Sequence, residues 1–170
     1  MILYDITMTI EDNMAVYKNR EDKRPRLVVT RDFAAGSVFE TRLEIDLHTG
    51  THIDMPLHVI PGGDASEHWA MGGMFTRCVV LDFVGDDAPA IGSGLLEQKW
   101  KEMESVCPVS EREYTVLLKT KNSLQDHFDF NFIYLEKTGA VYLAEKKIGG
   151  VSKLNNPLCS GIELPGSTRA

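Results

Sequence analysis

The order of apolar segments in the second half of the chain most restricts its fold. Short apolar runs that suit strands alternate there with segments whose apolar residues have helical spacing. Strands are predicted at residues 78–84, 114–118 and 130–135, and helices at 93–103 and 138–147. Strands that alternate with helices are typical of βαβ units, so the sequence predicts an α/β domain with a mixed sheet. The run at 78–84 is expected to be a buried strand, with Cys78 in the core.

Residues 38–48 predict a different kind of strand, because apolar and polar side chains alternate along them. Successive side chains of a strand point to opposite faces. One face is therefore expected to carry the apolar residues Phe39, Leu43, Ile45 and Leu47. His48 lies at the end of the opposite, polar face.

Composition excludes several classes of function. The chain has 170 residues, of which 43% are hydrophobic and 25% charged, as expected for one globular domain. The net charge of −7 gives no general attraction to nucleic acid or to anionic membranes. Three widely spaced cysteines without a CxxC pair predict a reducing, cytoplasmic environment. The expected partner is a small-molecule substrate rather than nucleic acid or a membrane.

A dense group of ionisable residues lies directly after the alternating strand. Three of the five histidines fall within the eleven residues 48–58, together with Asp54. Imidazole and carboxylate are common ligands of zinc, manganese and iron(II). A single histidine on a strand is more often structural, but a cluster with an aspartate at alternate spacing favours a metal site.

The spacing within this segment restricts how a metal could be held. Gly50, Pro56 and several β-branched residues argue against a helix, so the segment should be extended or looped. His48 and His52 would be roughly 13 Å apart in a straight strand, too far to share an ion. The chain must therefore bend between them, and Gly50 is best able to bend it.

Roles follow from this geometry as a hypothesis. His52 and Asp54 would be about 7 Å apart when extended, a separation that suits a shared ion. His48, His52 and Asp54 are therefore the predicted metal ligands. His58 would stand beside the metal as the catalytic base or acid, since the pKa of an unperturbed histidine lies near neutrality.

The whole run from His48 to His58 resembles the HxGTHxDxPxH signature of the cyclase family, with every fixed position present. That family includes bacterial kynurenine formamidases and isatin hydrolases. The resemblance implies a swivelling β/β/α fold, a divalent zinc or manganese ion, and dimers or higher oligomers. It implies hydrolysis of a small amide, formamide or cyclic amide by metal-activated water. By position, His48, His52 and Asp54 match the family's ligands, and His58 matches its catalytic histidine.

The resemblance also predicts the domain limits. It covers roughly residues 2–151, so we expect a cyclase-like domain at 1–151 and an atypical tail at 152–170 that is truncated or not native to the fold. The family's C-terminal strands are expected to be lacking.

The residue types also suggest which side chains line a substrate pocket. The candidate residues for this lining are Phe33, Trp69, Met71 and Phe75.

The sequence leaves two alternative functions open. A metal-dependent lyase or cyclase could act on a small carbonyl substrate with the same ligands, without net hydrolysis. An inactive, truncated relative could bind a metal weakly or only assemble. The mass of the product separates the first alternative from hydrolysis, because hydrolysis adds one water.

Overall fold

The computed structural model describes residues 4–68, 76–106 and 114–153, which form two units. The first unit comprises 4–68 with 126–130, and the second comprises the other described residues. The strands are β1 (Arg26–Arg31), β2 (Glu40–Glu44), β3 (Arg77–Asp82), β4 (Ala90–Ile91), β5 (Tyr114–Lys119), β6 (Tyr134–Leu135) and β7 (Gly150–Lys153). The helices are α1 (Ser93–Val106) and α2 (Lys137–Glu145). No helix among these residues is long and apolar enough to cross a membrane.

The second unit is built from parallel strands and two helices. A three-stranded sheet has the order β3-β5-β7, and Val116 of β5 pairs with Val79 on one side and Val151 on the other. The short strands β4 and β6 form a second parallel pair. Parallel strands need crossover connections, which here contain the helices. The predicted α/β class is confirmed, although the antiparallel and parallel pairs of the described residues lie in separate sheets.

Helix α1 buries the face that its spacing predicts. Leu96 and Trp100 are one helical turn apart and almost fully buried. The Trp100 ring stacks on Tyr114 of β5 with ring centroids 5.9 Å apart, and its indole Nε1 donates to Glu104 Oε1. The core of this unit is completed by Leu81, Phe83, Ile91, Val116, Leu118, Ile133 and Leu143. Burial of each large apolar side chain contributes about 1.5–3 kcal/mol.

Strand β3 is less buried than its sequence suggests. Leu81 lies in the core, but Cys78, near the start of the strand, is a free and exposed cysteine. The prediction that Cys78 is buried in the core was therefore wrong. Cys78 is the second residue of β3, which is an edge strand of the described three-stranded sheet, and burial along β3 increases only toward Leu81.

Helix α2 packs closely on β4 through a glycine. A Cβ atom at Gly139 would overlap the carbonyl oxygen of Ile91 and lie 3.0 Å from Leu96 Cδ1. Gly139→Ala should therefore destabilise the fold by about 1–3 kcal/mol. Gly94→Ala is the matched control, because Gly94 lies in α1 with open space around it. Its stability should be unchanged or raised by up to about 1 kcal/mol. Urea denaturation measures the stability of both variants. Equal denaturation midpoints for Gly139→Ala and Gly94→Ala would contradict the packing argument.

The first unit contains an antiparallel ribbon of β1 and β2. Leu27 pairs with Leu43, so these apolar side chains share one face of the ribbon, where both are about half exposed. Arg26 and Arg42 both form ion pairs with Glu44, at 3.3 and 2.9 Å. The ribbon is therefore amphipathic.

The predicted strand at 38–48 is shorter in the structure, since β2 ends at Glu44. The physical reason is a turn that starts at Asp46. Asp46 Oδ1 accepts the backbone N–H of His48 at 2.9 Å, and the Asp46 carbonyl accepts that of Thr49 at 3.0 Å. These bonds replace ladder bonds, so His48 lies on a turn rather than at the end of a strand. The tail beyond residue 153 lies outside the described residues, and its predicted boundary stays a prediction.

Candidate metal centre

The segment from Asp46 to His58 has a turn near each end. The first turn, at 46–49, carries His48. A 3₁₀ turn at Pro56–His58 carries His58, whose backbone N–H donates to the Met55 carbonyl at 2.9 Å. Proline suits the first position of such a turn because its φ is fixed and it has no N–H to satisfy.

The bend predicted between the first two histidines is present at Gly50. Its φ is +72°, a conformation that glycine adopts without strain. A Cβ atom at this position would lie only 2.9 Å from Ile10 Cδ1 and 3.2 Å from Met14 Cε. Met14 is buried. The positive φ therefore selects glycine here, and the ends of the Ile10 and Met14 side chains pack against it.

Two imidazoles converge on one oxygen of Asp54. His48 Nδ1 lies 2.8 Å from Asp54 Oδ1, and His52 Nε2 lies 3.5 Å from the same oxygen. His52 Nδ1 lies 2.9 Å from the Gly50 carbonyl oxygen, to which it donates its proton. That hydrogen bond leaves the lone pair of His52 on Nε2, the nitrogen that faces Asp54.

His58 belongs to the same cluster. The rings of His48 and His58 have centroids 4.1 Å apart, compared with 5.4 Å for His48 and His52. Potential ligand atoms of His48, Asp54 and His58 all lie within 4.8 Å of one another. His52 is not a member of that group. Two candidate ligand sets therefore share His48 and Asp54. The first is the compact group with His58. The second is the set predicted from the sequence, whose third member, His52, approaches Asp54 Oδ1 at 3.5 Å.

The chemistry of these donors fits a divalent metal that remains open to substrate. Two imidazole nitrogens and a carboxylate oxygen suit zinc or manganese. The side chains of His48, His52 and Asp54 are 43%, 32% and 53% exposed, so solvent reaches the cluster. A catalytic metal site needs such an open position.

Sequence reasoning missed the residues that support the His48 turn. Thr49 is buried, and its hydroxyl donates to the Lys23 carbonyl at 3.2 Å. The Lys23 ammonium donates to Asp46 Oδ2, and together with the His48 N–H it holds the pKa of the Asp46 carboxyl below its usual range. An aspartate two residues before a histidine is a signal for this turn. No local pattern marks Lys23, which is distant in sequence.

The predicted pocket residues are largely untested. Phe33 is 72% exposed, and its ring centroid lies 6.1 Å from that of Phe39. Trp69, Met71 and Phe75 lie outside the described residues. Their predicted role as a substrate lining stays a prediction.

Comparison with known proteins identifies the family. A family model described as Putative cyclase matches residues 4–152. The chain belongs to this family. It is 30% identical over 91 residues to a kynurenine formamidase of Salinibacter ruber (strain DSM 13855 / M31), a match that spans 54% of this chain and 42% of that protein.

Two solved structures share the cyclase-family fold. One, described as a potential metal-dependent hydrolase with cyclase activity, is 33% identical, with a TM-score of 0.69 over 88% of this chain. The other, a predicted metal-dependent hydrolase from Bacillus stearothermophilus, is 35% identical, with a TM-score of 0.68 over 88% of this chain. The matches span 66% and 67% of those chains.

Proposed function

We propose that this protein is a metal-dependent hydrolase that cleaves a small amide, formamide or cyclic amide. The observation that carries the proposal is the convergence of His48 Nδ1 and His52 Nε2 on Asp54 Oδ1. The kynurenine formamidase relative supports a formamide or similar amide as the substrate class.

The proposed metal ligands are His48, His52 and Asp54. His52 is preferred to His58 because its Nδ1–H is held by the Gly50 carbonyl, an arrangement that is usual for a ligating histidine. For His48 to bind a metal through Nδ1, its ring proton would have to lie on Nε2, which leaves the Nδ1 lone pair for the ion. A zinc or manganese ion there would supply Lewis acidity and lower the pKa of water.

His58 is proposed to move the proton. It would accept the proton of the attacking water and return it to the leaving nitrogen, a task that suits an imidazole at neutral pH. Its ring lies against that of His48, with ring centroids 4.1 Å apart. The 3₁₀ turn at Pro56–His58 fixes its backbone.

The proposal also covers the oligomeric state and the cellular location of the protein. We propose a homodimer or higher oligomer, as the family resemblance implies. We also propose a cytoplasmic location, which the pattern of three cysteines supports.

Mass spectrometry of reaction products tests this function. The protein, loaded with zinc or manganese, is incubated with aryl formamides and cyclic amides. The proposal predicts products that are heavier by one water or that have lost formate, and none in a chelated sample. Turnover without addition of water would favour the lyase or cyclase alternative. A metal-loaded protein that converts none of these substrates would contradict the proposal.

A further inference from the structure

We infer that Lys23 and Asp46 form a brace that positions the His48 imidazole beside Asp54, an inference that rests on the proposed function. Neither residue offers a ligand atom to the cluster. Each acts instead on the short turn that carries His48.

Asp46 controls the backbone on both sides of the His48 side chain. Its Oδ1 accepts the His48 N–H at 2.9 Å, and its carbonyl oxygen accepts the Thr49 N–H at 3.0 Å. These two bonds fix the backbone at His48. Because the imidazole is attached to that backbone, the direction of its Nδ1 toward Asp54 depends on them.

Lys23 ties the turn to a second part of the chain. Its ammonium donates to Asp46 Oδ2, and its carbonyl oxygen accepts the Thr49 hydroxyl at 3.2 Å. The Lys23 and Asp46 side chains are only 26% and 27% exposed. Partial burial strengthens this ion pair relative to the ribbon's exposed pairs.

Lys23 is linked through its neighbour Arg24 to Met14, the residue that also packs against the bend at Gly50. Lys23 lies in a 3₁₀ turn, and its neighbour Arg24 donates to the Met14 carbonyl at 3.1 Å. The Met14 side chain in turn lies beneath Gly50. One segment thus holds both the His48 turn and the bend that leads to His52. The brace is therefore inferred to influence the position of the His48 imidazole relative to that of His52.

The test compares Asp46→Ala and Asp46→Asn with a matched control, Lys119→Met. Asp46→Asn keeps an oxygen for the His48 N–H, whereas Asp46→Ala removes it. Lys119 forms a half-buried ion pair with Asp82 at 3.1 Å in the second unit, so its loss reports a general effect of ion-pair removal. Imidazole ¹⁵N spectra of the metal-free proteins report His48 directly. Calorimetric titration with Zn²⁺ reports affinity.

The brace predicts shifted His48 ¹⁵N resonances and about 10–100-fold weaker Zn²⁺ binding in Asp46→Ala. Asp46→Asn should lie between Asp46→Ala and the wild type, because it keeps an oxygen for the His48 N–H but loses the ion pair with Lys23. Lys119→Met should match the wild type. Unchanged His48 resonances in folded Asp46→Ala would overturn the inference. If Asp46→Ala does not fold, Lys23→Met is expected to shift the same His48 resonances. Unchanged resonances in folded Lys23→Met would then overturn the inference. A wild type that binds no Zn²⁺ contradicts the proposed function instead, and the metal-free spectra still decide on the brace.

Discussion

Replacement of His58 by alanine is expected to lower turnover by at least about 100-fold while the metal remains bound. The reason is the division of roles in the cluster. His52 is oriented toward Asp54 by its bond to the Gly50 carbonyl, so His48, His52 and Asp54 keep their donor atoms without His58. The substitution removes only the group that is proposed to transfer the proton.

This variant also decides between the two candidate ligand sets. Metal content and turnover are measured on the same preparation, with His127→Ala as the matched control. His127 is an exposed histidine bonded to its neighbour Asp126, so its loss should change neither quantity. Loss of the metal from His58→Ala would make His58 a ligand with His48 and Asp54. Full turnover with bound metal would contradict its catalytic role.

Asp54→Asn should weaken metal binding by at least about 100-fold. The substitution preserves the shape of the side chain but removes the negative charge on which both imidazoles converge. A divalent cation then loses its anionic ligand. Both metal binding and turnover should therefore be lost in Asp54→Asn.

Calorimetric titration with Zn²⁺ and with Mn²⁺ measures this loss. Asp126→Asn is the control, because Asp126 is an exposed carboxylate paired with a histidine outside the cluster. Its metal affinity should equal that of the wild type. Wild-type affinity in Asp54→Asn would remove Asp54 from the ligand set.

The features that the sequence predicts well are those that depend on neighbouring residues. The bend at Gly50 follows from the separation of roughly 13 Å that a straight strand would leave between His48 and His52. Glycine bends a chain most easily, and the φ of Gly50 is +72°. The burial of Leu96 and Trp100 follows from helical spacing. Alternation of strands and helices likewise predicts the α/β class of the second unit. The prediction was a mixed sheet, whereas the described strands of this unit pair in parallel.

The features that the sequence misses depend on distant partners or on competition between local bonds. The alternating pattern continues to residue 48, yet β2 ends at Glu44 because the Asp46 carboxylate takes the His48 N–H. Lys23 reaches Asp46 from 23 residues away, and no periodicity marks that contact. The position of His58 beside the predicted ligands is expected from the sequence, but the 3₁₀ turn at Pro56–His58 that carries it is not.

The metal content of the purified protein tests the central claim most directly. The protein is prepared without added metal and examined by elemental analysis, before and after exposure to zinc or manganese. The convergence of His48, His52 and Asp54 predicts about one zinc or manganese ion per chain. A protein that holds neither metal, even after exposure to both, would contradict the account and favour an inactive member of the cyclase family.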